Sequence, residues 1–278
     1  AASSMAAGRL GKLLRILACT LTVRGERAKG YGIAVYAPGG REDGASLVHA
    51  SDGEVWTEAE EAAAGVVRSR EKGARPGDSV SADALPTSFD WCHAGGGVSL
   101  CTPSRNQHVP QYCGACSMFA ALTALADRIK GLREGRGPDL VLSVQHVLNC
   151  HGRASCHGGT ASAVYDFIYR LSAATGSGVA AETVNPYQAC SRGSLEGFCA
   201  QAGDWACTPP NVARACAPGS GCVGLPSYPN ATVSEHGEVS GEAAMRAEIH
   251  ARGPIACGVA ASALKNYTGG IATGGGHG

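Results

Sequence analysis

The sequence predicts a globular fold of helix and short strand joined by long loops, and three observations carry that expectation. Behind Cys116, the residues Met118, Phe119, Leu122, Leu125, Ile129 and Leu132 recur at helical spacing and predict a helix running to about Arg133 with one buried face. Tyr31 to Ala37 reads as a short strand, closed by the Gly39-Gly40 turn signal. Glycine is 40 of 278 residues, twice the usual ~7%, while aromatics are 5%, so long loops and a modestly packed interior are expected between the regular elements.

Thirteen cysteines, twelve of them after residue 90, supply a second means of holding such a chain together. That density points to an oxidising compartment: secreted, vacuolar or lysosomal. An odd count leaves at least one thiol outside the intrachain disulfides. Cys113 and Cys116 alone show Cys-x-x-Cys spacing, whereas a zinc site of that type needs two such pairs, so no metal is expected. Lys and Arg (23) balance Asp and Glu (23), and this neutrality argues against nucleic acid as a partner. At 44% hydrophobic and 17% charged the chain is globular, and its length fits one large domain or two small ones. No apolar run is long enough for a stable membrane span.

Taken in order, residues 1–30 carry Arg9, Lys12, Arg15, Arg24, Arg27 and Lys29 against Glu26, ahead of and around the short apolar run Ile16 to Val23. They are expected to be a targeting segment. Residues 31–84 hold the Tyr31–Ala37 strand, a polar Ala-rich helix from Glu54 to Arg70 and a linker from Gly73 to Ala84; they form a propeptide or an unrelated extension. A different kind of sequence opens at Leu85-Pro-Thr-Ser-Phe-Asp-Trp91. Ser143 is placed to cap a short helix ending near Cys150, and Ser240 to cap a helix carrying Met245 and Ile249 that Gly253-Pro254 ends. Cys207, Cys216 and Cys222 lie in a Gly/Pro-rich stretch without helical period, expected to be a disulfide-held loop between two domains. Asn230-Ala-Thr232 and Asn266-Tyr-Thr268 are glycosylation acceptors.

Cys116 sits in the first turn of its helix, where Gly114 and Ala115 leave the backbone unobstructed. The partial positive charge of a helix N-terminus favours thiolate, the nucleophilic form of cysteine. Three readings of the pair Cys113 and Cys116 stay open on spacing alone: two structural half-cystines, a thioredoxin-like redox pair, or a structural cysteine beside a nucleophile. Eleven further cysteines weigh against the redox pair.

The wider run Arg105-Asn-Gln-His-Val-Pro-Gln-Tyr-Cys-Gly-Ala-Cys-Ser117 resembles the papain-like cysteine peptidases. The family pattern is a Gln followed by Cys-Gly-x-Cys; here these are Gln107 and Cys113 to Cys116. The insert His108-Val109-Pro110 is similar to the mini-loop of a carboxypeptidase branch of the family. Leu142 to Cys150, Ser155-Cys-His-Gly-Gly159, Asn185-x-Tyr187-Gln-Ala189, Gly253-Pro-Ile-x-Cys-Gly258 and Asn266-Tyr-Thr-Gly-Gly-Ile271 extend the resemblance over about residues 85–271. It implies an α+β, two-domain fold. Residues 85–205 would be a complete helical left domain, and residues 206–278 a partial right domain, an antiparallel barrel truncated at its C-terminus, with Ile255 to Ala261 as a strand. Cys116 would be the catalytic nucleophile and Gln107 the oxyanion donor. His108 would bind the substrate's C-terminal carboxylate, and the backbone of Gly158 and Gly159 would bind extended peptide. By the same analogy Cys113 pairs with Cys156, and Cys150 with Cys190 or Cys199. Cys92 and Cys101 are near enough to pair. The remaining pairings, of Cys199, Cys207, Cys216, Cys222 and Cys257, stay open. The partners implied are the C-termini of peptides or proteins, acted on by a monomer without a cofactor, in a lysosome, a vacuole or outside the cell.

Several positions depart from the family pattern. Ser117 stands where a Trp usually lines the site, which predicts a looser wall. Val184 replaces a family Cys. The catalytic His strand and the later Asn-Ser-Trp motif are not found before Gly278; His277, in Gly274-Gly-Gly-His-Gly278, is a weak candidate for the His. Two expectations follow: a cysteine peptidase of carboxypeptidase type represented by an incomplete fragment, or a catalytically inactive papain-like module that binds peptide.

Overall fold

The computed structural model describes residues 85–94, 96–194, 197–200 and 205–258. The predicted Tyr31–Ala37 strand, the Glu54–Arg70 helix, the targeting segment, Asn266 and His277 lie outside the described residues.

Helix α1, Cys116–Leu132, is the axis of the structure. Met118, Phe119 and Leu122 are buried on its inner face, and the small Ala121 and Ala126 let neighbours approach closely. Leu132, counted in that face from its spacing, is 86% exposed; the helix has by then run past the core. Helix α2, Val144–Cys150, begins as expected at Ser143, whose hydroxyl accepts the His146 N–H. Helix α3, Ala161–Thr175, is capped by Thr160 and stopped by Gly176 at φ 69°, a left-handed position suited to glycine. It packs on α1, and the buried Tyr165 hydroxyl donates to Ala121 O at 2.9 Å; burial pushes this phenol up to about 12. Val144, Val147, Val164 and Ile168 complete a core shared by the three helices.

Strand β1, Val179–Ala180, pairs antiparallel with β4, Asn230–Ala231, in the register Val179↔Ala231. Ala231 and Val233 thereby join the helical core. The Asn230 amide is bound into this edge: Gly178 N donates to its Oδ1 at 2.8 Å and its Nδ2 donates to Tyr228 O at 2.9 Å. Between them the chain forms α4, Pro209–Val212, and a hairpin of β2, Arg214–Ala217, with β3, Gly221–Gly224. The Gly/Pro-rich stretch is therefore a helical turn and a hairpin rather than a loop. Cys216 and Cys222 face each other across the hairpin and are disulfide-bonded.

Five disulfides join described residues. Cys92 pairs with Cys101 and Cys113 with Cys156. The pairing expected for Cys150 is corrected: it joins Cys207, with Cα atoms 4.6 Å apart, while Cys190 joins Cys199. The reason is local. Asn149 and Asn185 both donate to Asn211 O, which draws α4 and the preceding Cys207 onto the end of α2. Cys190 and Cys199, nine positions apart, then close their own loop.

Helix α5, Glu242–Arg252, starts at Gly241, φ 87°, and not at a Ser240 cap. Gly253, φ 109°, ends it. Arg128 of α1 ties α5 down by donating to Glu248 at 3.0 Å and to Pro254 O at 2.8 Å. Burial works against ionisation of Glu248, but hydrogen bonds from Arg252 and Arg128 hold its carboxyl below the usual range. The indole of Trp91 donates to Ile249 O, fastening the start of the described chain to the same helix. Residues 255–258, expected to open a strand, are irregular, and no closed barrel forms among the described residues.

Candidate active site

Cys116 is the first residue of α1 and half-buried; it keeps its thiol. The segment that delivers it is held from both sides. The Cys113–Cys156 disulfide, Cα atoms 4.4 Å apart, clamps it to the loop 155–159. Gly114 N donates to Cys156 O at 2.7 Å. A Cβ at Gly114 would stand 2.9 Å from that same oxygen, so this close backbone approach requires glycine. Ser155 and Gly158 exchange backbone hydrogen bonds at 3.2 Å, and Gly158 adopts φ 127°. Gly159 lies close to Ser117, the residue after the thiol: a Cβ there would come 2.9 Å from Ser117 Oγ. Gly158 and Gly159 thus lie against the segment 114–117 that carries Cys116.

Ser117 is fully buried and faces this glycine loop and Met118 Sδ. Its side chain points into the interior, against the backbone of Gly159.

Gln107 begins the turn that carries the insert. Its Oε1 is buried without a hydrogen-bond partner, while its backbone carbonyl accepts the Tyr187 hydroxyl at 2.8 Å. His108 folds back toward the nucleophile segment. Its Nδ1 accepts the Cys113 N–H at 3.4 Å, and its ring stacks on Tyr112 at 4.8 Å and 5°. Asn106 Oδ1 accepts the His108 N–H at 2.8 Å and shapes the turn. Val109, at the tip, is 60% exposed.

Residues not singled out from sequence support this arrangement. Arg105 lies over the Phe119 ring, 4.8 Å from its centre, and donates to Glu182 at 2.7 Å. Burial raises the Glu182 carboxyl, against the opposing pull of Arg105 and of the Tyr187 N–H. Gln111 donates to Ala189 O at 3.1 Å. An Arg two residues before the Gln was the available sequence signal; its carboxylate partner Glu182, 77 positions away, was not readable from spacing.

His146 is 1% exposed and packs in the core. Its Nδ1 accepts the Ala180 N–H at 3.0 Å, and burial lowers it to about 4. His151 is likewise lowered by burial, although its ring nitrogen is 2.9 Å from Ala163 O. No three His, Cys, Asp or Glu side chains among the described residues are grouped to hold a metal. No helix among them is long and apolar enough to cross a membrane.

Comparison with known proteins gives the same outline. The family model for "Papain family cysteine protease" matches residues 85–277. "Cathepsin Z" of Onchocerca volvulus is 40% identical over 190 residues, covering 68% of this chain and 55% of that protein. "Cysteine proteinase 2" of Entamoeba histolytica is 36% identical over 105 residues, 37% of this chain and 29% of its own length. A digestive procathepsin L2 structure from Tenebrio molitor matches at 26% identity with a TM-score of 0.33, covering 44% of this chain and 34% of that one. The chain thus spans about half the length of the first of these relatives and less of the others.

Proposed function

Since the chain belongs to the papain family of cysteine proteases, we propose that it hydrolyses peptide bonds through a Cys116 thioacyl-enzyme and that it does so as a carboxypeptidase. The observation that carries this reading is the state of Cys116: it keeps its thiol at the head of α1, where the helix end favours thiolate, amid five disulfides. The thiolate forms a C–S bond to the scissile carbonyl, and the carbonyl π pair moves to oxygen. Gln107 and the Cys116 N–H receive that oxyanion; one such donor is worth about 10²–10³ in rate. The amine then leaves with a proton, and water releases the acid from the thioester. The resemblance assigns the proton transfers to a histidine; His277 lies outside the described residues.

His108 supplies the exopeptidase specificity by meeting the terminal carboxylate of the substrate. Gly158 and Gly159, beside the nucleophile, offer backbone to the extended peptide. Residues 85–205 are read as the helical half, and Ala231 and Val233 of the following region return to its core. The disulfides suit a lysosomal, vacuolar or secreted protein, working as a monomer.

Incubation of the full chain with an epoxysuccinyl peptide tests the nucleophile. We expect mass spectrometry to place a single adduct on the peptide carrying Cys116, and Cys116→Ser to abolish it. An adduct elsewhere, or none, would overturn the assignment. For specificity, single C-terminal residues should be released from peptides with a free carboxylate and not from their amides, a preference that His108→Ala erases.

A further inference from the structure

The nine-position interval between Gln107 and Cys116 is a loop, tied down at Gln111 and Cys113 but without a regular element that sets the Gln107 amide against the thiol. Nor do hydrogen bonds of its own anchor the Gln107 side-chain oxygen, which is buried and unpartnered. Packing and the Gln107 backbone, and no hydrogen bond to that oxygen, therefore position the amide. One side chain reaches that backbone from far away: Tyr187, whose hydroxyl donates to Gln107 O at 2.8 Å across 80 positions.

Tyr187 is in turn held against the nucleophile helix. Its ring meets Phe119, one turn into α1 from Cys116, edge to face at 4.9 Å and 90°. Arg105, two residues before Gln107, lies over the same Phe119 ring at 4.8 Å. A single carboxylate oxygen, Glu182 Oε1, accepts from both Arg105 at 2.7 Å and the Tyr187 N–H at 2.8 Å. Two grips on one ring thus connect the segment around Gln107 to the helix that carries the thiol, bypassing the inserted loop.

We propose that Tyr187 is a positioning residue, which sets Gln107 at its distance from Cys116 through the hydroxyl bond to Gln107 O and the ring contact with Phe119. The proposal rests on the reading of Gln107 as oxyanion donor. An oxyanion site is sensitive to small displacements, since a shift of about 1 Å is enough to cost ~10²-fold in a positioned reaction.

The test uses the full chain and two reagents. A peptide aldehyde, acetyl-Phe-glycinal, adds reversibly to the thiolate: the C–S bond forms, the carbonyl π pair passes to oxygen, and that oxyanion needs Gln107. Iodoacetamide alkylates the thiolate by displacing iodide and forms no oxyanion. Tyr187→Phe keeps the ring on Phe119 and loses only the hydroxyl. It should weaken aldehyde binding roughly tenfold, the scale of one net hydrogen bond, and leave the iodoacetamide rate and its pH profile unchanged. In a Gln107→Ala background the same substitution should have no further effect on the aldehyde. Equal losses toward both reagents, an unchanged aldehyde affinity, or an additive effect in the Gln107→Ala background would each overturn the proposal. Aldehyde capture absent from the unsubstituted chain, with alkylation intact, overturns it as well. Failure of iodoacetamide to modify Cys116 at all instead removes the nucleophile reading beneath it.

Discussion

At the scale of single residues, His146 couples the core to pH. The ring is buried and accepts a hydrogen bond from Ala180 N, so protonation costs both desolvation and that bond. Its value falls from 6.5 to about 4. The unfolded chain therefore binds the proton first. The contribution of a neutral His146 is complete above pH 6.5 and declines as pH falls from 6.5 toward 4, by about 3 kcal/mol in full. His151, also lowered by burial, adds in the same direction. Glu182, whose carboxyl is raised, has the opposite sign: its contribution declines as pH rises through the carboxylate range. Urea midpoints measured between pH 7 and pH 4 should drop, and His146→Asn, which keeps an acceptor near the Nδ1 position, should flatten the drop. Equal slopes for the two proteins would refute this assignment. In an acidic compartment the core histidine is thus a liability that the disulfides offset.

At the scale of elements, the short β1–β4 pair shows how little room the core leaves. A Cβ at Gly178 would lie 1.7 Å from Ala231 O, a backbone atom that cannot turn aside. Gly178→Ala must open the pair or move β4, and with it Ala231 and Val233, out of the helical core. We expect a loss of about 2 kcal/mol or more in denaturant midpoint. Gly193→Ala is the matched control, because its Cβ would meet only the His157 ring, no closer than 3.7 Å; it should change stability by less than about 0.5 kcal/mol. Similar losses for both would mean that the close approach to Ala231 O is not what makes alanine costly at Gly178.

At the scale of the whole molecule, what was legible in the sequence was local. The helix behind Cys116 follows from apolar spacing, and the Ser143 cap from one side chain and one turn. The candidates Gln107, His108 and Cys116 stand out because a contiguous motif carries them. What was missed depended on distant partners. Cys207 reaches Cys150 across 57 positions only because Asn149 and Asn185 share Asn211 O. The β2–β3 hairpin was read as loop because both its faces are largely exposed, so no alternation of apolar and polar residues marks it. Leu132 kept the helical period one turn beyond the core, which periodicity alone does not reveal. Tyr187 belongs to the same class, for its role exists only where the chain brings it against Gln107.

The exposed tip of that hairpin, residues 218–220, lies inside the ring closed by Cys216 and Cys222. Among proteases the tip is an open cleavage site, and a cut there separates nothing. The two pieces stay tethered at the base of the ribbon, and the second remains attached through β4 to the core. A nicked molecule should therefore migrate intact on a non-reducing gel and divide into two bands once reductant is added.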